Sequence, residues 1–262
     1  MELKKNKIIV FGSLPIATKI VEYIISNESL ELMGVVINDE NPNNNDPWES
    51  TPCLYNYVTV NNIQRYTFDD LVEKFKPGEL DLGLSCRFGD IIKINVINLF
   101  SKGIINMHGG LLPEFAGLYS CNYSILFRSK IGGGTLHYVD EGIDTGNVIR
   151  RCEFEITDTD TGYTVFQKTQ ITLYENMIEI IPLVLNNDIK SITMQELKAR
   201  GYEHRYFNKK SILKYKEIVK SDFESGNVFY KVRAFDFPGY EPAYYMCGGK
   251  KIYMRMSYKE DK

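Results

Sequence analysis

The chain lacks most of what would tie it to a metal, a membrane or an oxidising compartment. Its 262 residues include five cysteines, at positions 53, 86, 121, 152 and 247, an odd number with no CxxC pair. Neither a disulfide framework nor a metal site is expected from them, and a reducing interior fits better. No apolar run approaches the roughly 18 residues of a transmembrane helix, so no membrane partner is expected. The opening Met1-Glu2-Leu3-Lys4-Lys5 leads directly into a strand without a signal-peptide pattern, which gives a cytoplasmic expectation. No internal repeat is visible. The glycine-rich dinucleotide loop is also missing. After the first apolar run the sequence reads Gly12-Ser13-Leu14-Pro15-Ile16-Ala17, not GxGxxG, which argues against an NAD-dependent dehydrogenase.

What remains is an ordinary globular composition, 44% hydrophobic and 25% charged. The length suits one full α/β domain and a smaller appendage. Net charge is −3, unevenly spread: residues 196–262 carry 15 Lys and Arg against 9 Asp and Glu, and residues 1–195 carry 16 against 25. A basic tail of this kind is either a solvated surface or a contact for a phosphate-bearing substrate or nucleic acid.

Apolar periodicity predicts strands at 7–12, 30–37, 80–85 and 103–107, with helices at 14–26, 68–75 and 91–100 between them. The Asn-, Asp- and Pro-rich stretch 38–52 reads as a loop. Beyond it come a helix at 123–128, strands at 133–139 and 148–156, and a long helix to about Leu185. Thr161 caps that helix, and Val165, Phe166, Ile171, Leu173 and Met177 supply its buried face. Strands alternating with helices give an α/β fold, a Rossmann-like doubly wound, mostly parallel sheet. Residues 1–195 form the catalytic domain on this reading. Residues 196–262 form a small C-terminal region with strands at 228–234 and 251–256.

The chemistry concentrates between Asn106 and Asp144. Period-two alternation puts Ile104, Asn106 and His108 on one face of a strand, with Asn106 and His108 roughly 7 Å apart. An amide beside an imidazole at a strand's carboxyl end suits carbonyl chemistry: the amide can bond a developing oxyanion while the imidazole moves a proton. Asp144 could orient that imidazole. Each residue also has an ordinary structural use, Asn106 and Asp144 as turn formers and His108 as a packing residue.

The run Asn106-x-His108 with Leu111-Leu112-Pro113-x-x-x-Gly117, followed by Asp144-Thr145-Gly146, resembles the pattern of the folate-dependent formyltransferases. The resemblance spans roughly Lys7 to Leu185. Gly109-Gly110 stands where the transfer-RNA and purine enzymes usually carry Pro-Ser, and is similar to what the sugar-nucleotide enzymes show. Leu118-Tyr119-Ser120 lacks the arginine often found nearby in the family. The resemblance implies N10-formyltetrahydrofolate as formyl donor and no metal. Ser85, Arg87, Phe88 and Ile91 would line the pterin pocket, with backbone around Val139, Asp140 and Gly142 bonding the pterin edge. It further implies attack of a substrate amine on the formyl carbon. Asn106 and His108 would stabilise the oxyanion with Asp144 orienting His108, and the amine proton would pass to His108 or to a water held by Asp144. His137 and His204 are expected to be structural.

The run Phe235-Asp236-Phe237-Pro238-Gly239-Tyr240-Glu241-Pro242-Ala243-Tyr244 is similar to the short tail of sugar-nucleotide N-formyltransferases. That likeness implies a nucleotide-linked amino sugar, a dTDP-linked amino-dideoxyhexose for surface polysaccharide synthesis, and a homodimer. Gly109, Gly110, Tyr119, Arg233, Phe237 and Tyr244 are the expected substrate contacts, with Arg233, Lys250 or Lys251 neutralising a diphosphate and the aromatics stacking on a base. No nucleic-acid partner is expected on this reading. The alternatives are a methionyl-tRNA formyltransferase with a shortened C-terminal domain, and a non-catalytic folate- or nucleotide-binding regulator.

Overall fold

A computed structural model describes residues 4–257, so Met1 to Leu3, read above as the lead into the first strand, lie outside the described residues. In chain order the first half contains β1 (Asn6–Gly12), α1 (Pro15–Ser26), β2 (Leu30–Val36), α2 (Leu54–Val60), α3 (Phe68–Lys74), β3 (Leu82–Cys86), α4 (Ile94–Ile97) and β4 (Ile104–His108). Then follow β5 (Ala116–Gly117), α5 (Ser120–Leu126), β6 (Ile131–Tyr138), β7 (Val148–Glu155) and α6 (Gly162–Leu185). The last part holds α7 (Met194–Ala199), β8 (Tyr206–Phe207), β9 (Glu217–Ile218), α8 (Lys220–Glu224), α9 (Asn227–Phe235), β10 (Ala243–Cys247) and β11 (Lys250–Met254).

One six-stranded sheet, in the order β2-β1-β3-β4-β6-β7, forms the frame. Its first four strands are parallel, and β6 and β7 are antiparallel additions. Both faces of β1 are buried: Ile8 and Val10 join a cluster with α1 and α6, while Ile9 and Phe11 join one with Leu71, Val96 and Phe100. That is why these strands read as continuous apolar runs rather than alternating ones. Parallel strands point their carboxyl ends to one side, which brings Ser85, Asn106 and His108 to the same edge. Among the described residues no helix is long and apolar enough to cross a membrane.

The long helix α6 starts as its sequence suggests. Thr161 Oγ1 accepts from the Thr164 amide at 3.3 Å, and Thr164 Oγ1 accepts from the Thr161 amide at 2.9 Å, a reciprocal cap. Val165, Leu173 and Met177 are buried as expected, but Ile171 is exposed, because the helix turns that face away from the sheet.

The segment at 228–234, expected as a strand, is the helix α9 instead. Val228, Tyr230, Val232 and Ala234 satisfy a period of two, yet Val228, Val232 and Phe235 equally satisfy a helical stripe. Packing decides between them. Val232, Arg233, Ala234 and Phe235 are all buried in succession, chiefly against α5, with α6 and β10 also in contact. Asn122 Nδ2 donates to the Ala234 carbonyl at 2.6 Å and the Tyr163 amide donates to Asp236 O at 3.2 Å, fastening the helix end. The expected strand near 251–256 is present as β11, paired with β10 in a hairpin.

Residues after 195 share their core with the preceding chain. One buried cluster unites Leu111, Phe115, Tyr123 and Val165 with Phe207, Ile212, Val232 and Phe235, and β8 pairs with β5.

Candidate active site

At the carboxyl end of β4, each polar group is held by a neighbour in regular structure. Ser85, at the end of β3 and paired in register with Asn106, donates its hydroxyl to Asn106 Oδ1 at 2.8 Å. On the other side β6 places His137 opposite Asn106, and Asn106 Nδ2 donates to His137 Nε2 at 3.1 Å. His137 Nδ1 donates to the Tyr138 carbonyl at 2.9 Å, which fixes its tautomer with Nε2 as the acceptor. Burial, together with the nearby His108, lowers the His137 pKa from 6.5 to about 4, so the ring stays neutral. An amide nitrogen carries two hydrogens. One is used by His137, leaving the second on Asn106 for a ligand.

His108 is 7% exposed. Its Nε2 lies 2.8 Å from the Phe115 carbonyl, and its Nδ1 lies 3.3 Å from Asp144 Oδ1. Both ring nitrogens therefore face oxygen atoms, which fix the plane of the ring. Asp144 adopts a left-handed backbone (φ 55°), uncommon for a residue with a side chain, and its Oδ2 accepts from the Gly117 amide at 2.8 Å. The same carboxylate sits 3.7 Å from His137 Nε2. His137 was expected to be structural. It does lie inside a strand, but it also orients the amide of Asn106. Sequence alternation put Asn106 and His108 on one face; only the β4–β6 register brings His137 opposite them.

A cavity of about 670 Å³ opens from this cluster. Asn106, His108, Gly109, Tyr119 and Asp144 line it, together with Arg87, Phe88 and Phe166. Tyr206, Leu213, Lys216, Phe237, Tyr240 and Glu241 line it from the C-terminal region. Of the residues expected at a pterin pocket, Arg87 and Phe88 line this cavity. Ser85, Ile91, Val139, Asp140 and Gly142 do not. Ile91 is exposed, the Val139 amide donates to Ile104 O at 2.8 Å, and Asp140 Oδ1 accepts from the Gly142 amide and the Thr145 hydroxyl.

Arg87 is committed inside the protein. Its Nη1 lies 2.7 Å from Asp46 Oδ1, and its guanidinium stacks 4.7 Å from the Phe166 ring centroid. Burial raises the Asp46 pKa, with Arg87 opposing, and the other carboxylate oxygen accepts from the Ile16 amide at 3.0 Å in the first turn of α1. Asp46 lies in the stretch read only as a loop, and nothing in its local sequence marked it.

The substrate contacts expected in the C-terminal region divide. Phe237 lines the cavity and packs edge-on against Phe166 and Tyr240, at centroid distances of 5.4 and 5.1 Å. Arg233 does not line it. It is 2% exposed, donates to the carbonyls of Asp160 (2.7 Å) and Thr157 (2.5 Å), and so serves the fold where a diphosphate contact was expected. Its place on a helix, not a strand, turned it inward. Tyr244 also lies off the cavity, its ring 4.1 Å from Lys251 Nζ. Gly110 packs too tightly for a side chain, since a Cβ there would come within 2.5 Å of Phe115 O.

Residues 6–181 match the family model described as formyl transferase. Methionyl-tRNA formyltransferase from Bacillus velezensis is 28% identical over 199 residues, covering 74% of this chain and 62% of that protein. The chain thus spans about three-fifths of the curated relatives it matches. A 4-N formyltransferase from Francisella tularensis has the same fold, with a TM-score of 0.76 at 21% identity, covering 97% of this chain and 98% of its own. An N-formyltransferase from Helicobacter canadensis, solved with folinic acid and dTDP-3-aminofucose, superposes with a TM-score of 0.74 at 25% identity, over 94% of this chain and 86% of its own.

Proposed function

The chain belongs to the formyl transferase family, and from that premise we propose that it moves a formyl group from N10-formyltetrahydrofolate to the amine of a dTDP-linked amino-6-deoxyhexose. The observation that carries this reading is the single cavity joining the Asn106, His108 and Asp144 cluster to an aromatic and basic wall from the C-terminal region. A nucleotide-linked sugar needs both: a reactive cluster for its amine and a wall for its base and phosphates. Phe237 and Tyr240 offer ring faces, and Lys216 a cation. The Helicobacter protein, solved with a dTDP-amino sugar and a folate, matches nearly the whole chain including this tail.

In this mechanism the substrate amine attacks the formyl carbon, and the developing oxyanion is met by the spare N–H of Asn106 and by His108 as its Nε2 turns from the Phe115 carbonyl to the oxyanion. Asp144, 3.3 Å from His108 Nδ1, orients the ring for that contact. The amine proton passes to a water held by Asp144, whose carboxylate is fixed by Gly117 and His108. Collapse breaks the bond from the formyl carbon to N10 of the folate, which takes up a proton as it leaves. Phe88, anchored edge-on against Phe11 and Phe68 at 5.8 Å, offers an apolar wall for the pterin ring. The product serves surface polysaccharide synthesis in the cytoplasm. The β10–β11 hairpin leaves Tyr245, Ile252 and Tyr253 exposed, which supports a homodimer through that face.

The second reading, a methionyl-tRNA formyltransferase with a shortened tail, is favoured by the curated sequence relatives and by the basic segment after Glu196. One assay separates them. N10-formyltetrahydrofolate is offered with dTDP-3-amino- and dTDP-4-amino-6-deoxyhexoses, glycinamide ribonucleotide and charged initiator transfer RNA. Turnover on one dTDP-sugar alone is expected and fixes the amine position. Turnover on the transfer RNA overturns it in favour of the second reading, and silence on every amine favours a binding protein.

A further inference from the structure

The backbone between Phe115 and Leu118 is bonded along both edges, and the two edges serve different regions. One edge faces the site. The Phe115 carbonyl lies 2.8 Å from His108 Nε2, and the Gly117 amide donates to Asp144 Oδ2 at 2.8 Å. The opposite edge faces β8. The Ala116 amide donates to the Arg205 carbonyl at 3.1 Å, and the Leu118 amide to the Phe207 carbonyl at 2.8 Å. A third bond, from the Arg205 amide to Pro113 O at 3.1 Å, closes the start of this ladder. Because a peptide unit is planar, the Phe115 carbonyl and the Ala116 amide move as one body. His108 is therefore one peptide plane away from the C-terminal region.

Strands of two residues, as β5 and β8 both are, do not hold themselves in place. Phe207 supplies the anchor. Its ring stacks on Tyr123 at a centroid distance of 3.8 Å and on Phe115 at 6.3 Å, inside the buried cluster that joins the two parts of the chain. Gly117 shows how closely the backbones meet: its φ is 86°, and a Cβ there would come within 2.2 Å of Phe207 O. Phe207 does not line the cavity, so any effect it has on the reaction passes through the backbone it holds.

We propose that Phe207 is a positioning residue for the formyl transfer. By seating β8 against β5 it holds the Gly117 amide that fixes Asp144 and the Phe115 carbonyl from which His108 turns. This rests on the proposed chemistry of His108 and Asp144.

The test compares wild type with Phe207→Ala, Phe207→Leu and Ile156→Ala. Ile156 lies in the same buried cluster, but it does not line the cavity and has no place in the β5–β8 ladder. Phe207→Ala is expected to lower kcat about 10-fold or more while the KM for N10-formyltetrahydrofolate stays within about twofold. Phe207→Leu, which refills part of the space, should fall between it and wild type. Ile156→Ala should lower Tm yet leave kcat within about twofold. A second readout needs no substrate. The chain has three histidines, few enough for each ring to be followed by 15N NMR. In Phe207→Ala the His108 signals should shift, while those of His137, held by Asn106 and the Tyr138 carbonyl, stay nearly in place. A normal kcat in folded Phe207→Ala, an equal loss in Ile156→Ala, or unmoved His108 signals overturns the assignment. Should Phe207→Ala fail to fold, Phe207→Leu is read by the same criteria. If wild type formylates none of the dTDP-amino sugars, the proposed function falls, and the His108 signals still decide whether Phe207 sets that ring.

Discussion

The cavity's lining from the sheet and its lining from the C-terminal region are built in different ways. On the sheet side, Asn106, His108, His137 and Asp144 are each fixed by neighbours on strands or by backbone groups, and the strands themselves sit in a core buried on both faces. In the lining from the C-terminal region, Phe237, Tyr240 and Glu241 stand on a loop; Tyr240 is 53% exposed and Glu241 is held by Lys216 and Lys251 at the surface. Rigid placement suits a reaction whose geometry tolerates little error. A wall of aromatics on loops suits a nucleotide recognised mainly by stacking. The difference predicts that chemistry resides in the first lining and substrate choice in the second.

The largest expected effect breaks the sheet side alone. His108→Ala or Asp144→Asn should lower kcat by roughly 10²-fold or more, with folding intact. Steady-state rates at saturating donor, with Tm measured alongside, decide the matter. Near-normal turnover in either variant would remove these residues from the chemistry.

A second variant tests whether the tail is fastened or merely appended. Arg233→Met removes the guanidinium from the buried Asp160 carbonyl and from the Thr157 carbonyl at the root of α6. The expected cost is about 1–3 kcal/mol, chiefly from the Asp160 carbonyl, since Thr157 O keeps the Asp160 amide at 3.2 Å. A single cooperative transition at lower denaturant would fit the shared core. Loss of the tail alone, with the sheet melting at its usual point, would count against it.

How much of this was legible beforehand follows from the same contrast. In the sheet, β1 and β4 announced themselves as apolar runs, and Asn106 and His108 stood out because polar groups interrupt a strand there. Asp144 was found through its place in a motif. The residues that escaped are those whose role depends on register or on distant packing. His137 acts through its pairing with Asn106, and Asp46 caps α1 and holds Arg87 from within a loop. In the tail, α9 was misread because four alternating apolar residues fit two periods, and Arg233 followed that error to the wrong face.

His137 offers a finer probe of the sheet side. Its folded pKa is about 4 and its ordinary value 6.5. Between those values the unfolded chain binds more protons at this residue than the folded chain does. The stability it contributes is therefore fully present above about pH 6.5 and is lost as pH falls toward 4. Tm measured from pH 7 to 4.5 should drop more steeply for wild type than for His137→Gln, which has no such titration. Parallel curves would mean that the ring is not held neutral by its burial.

The smallest effect is expected at the junction of the two regions. Thr161→Ala removes the side-chain acceptor for the Thr164 amide, and loss of an N-terminal cap typically costs about 1 kcal/mol. Here part of the cap survives, because Thr164 Oγ1 still accepts from the residue 161 amide and donates to Asp160 Oδ1 at 2.9 Å. For a chain of this size the shift should be about 2–4 °C in Tm or less. Because Phe166 lies further along the helix, a frayed first turn should raise the acceptor KM slightly while leaving kcat within about twofold. A fall in kcat as large as that of His108→Ala would mean that the start of α6 positions the catalytic cluster, and the division between a rigid reactive lining and an adaptable binding lining would not hold.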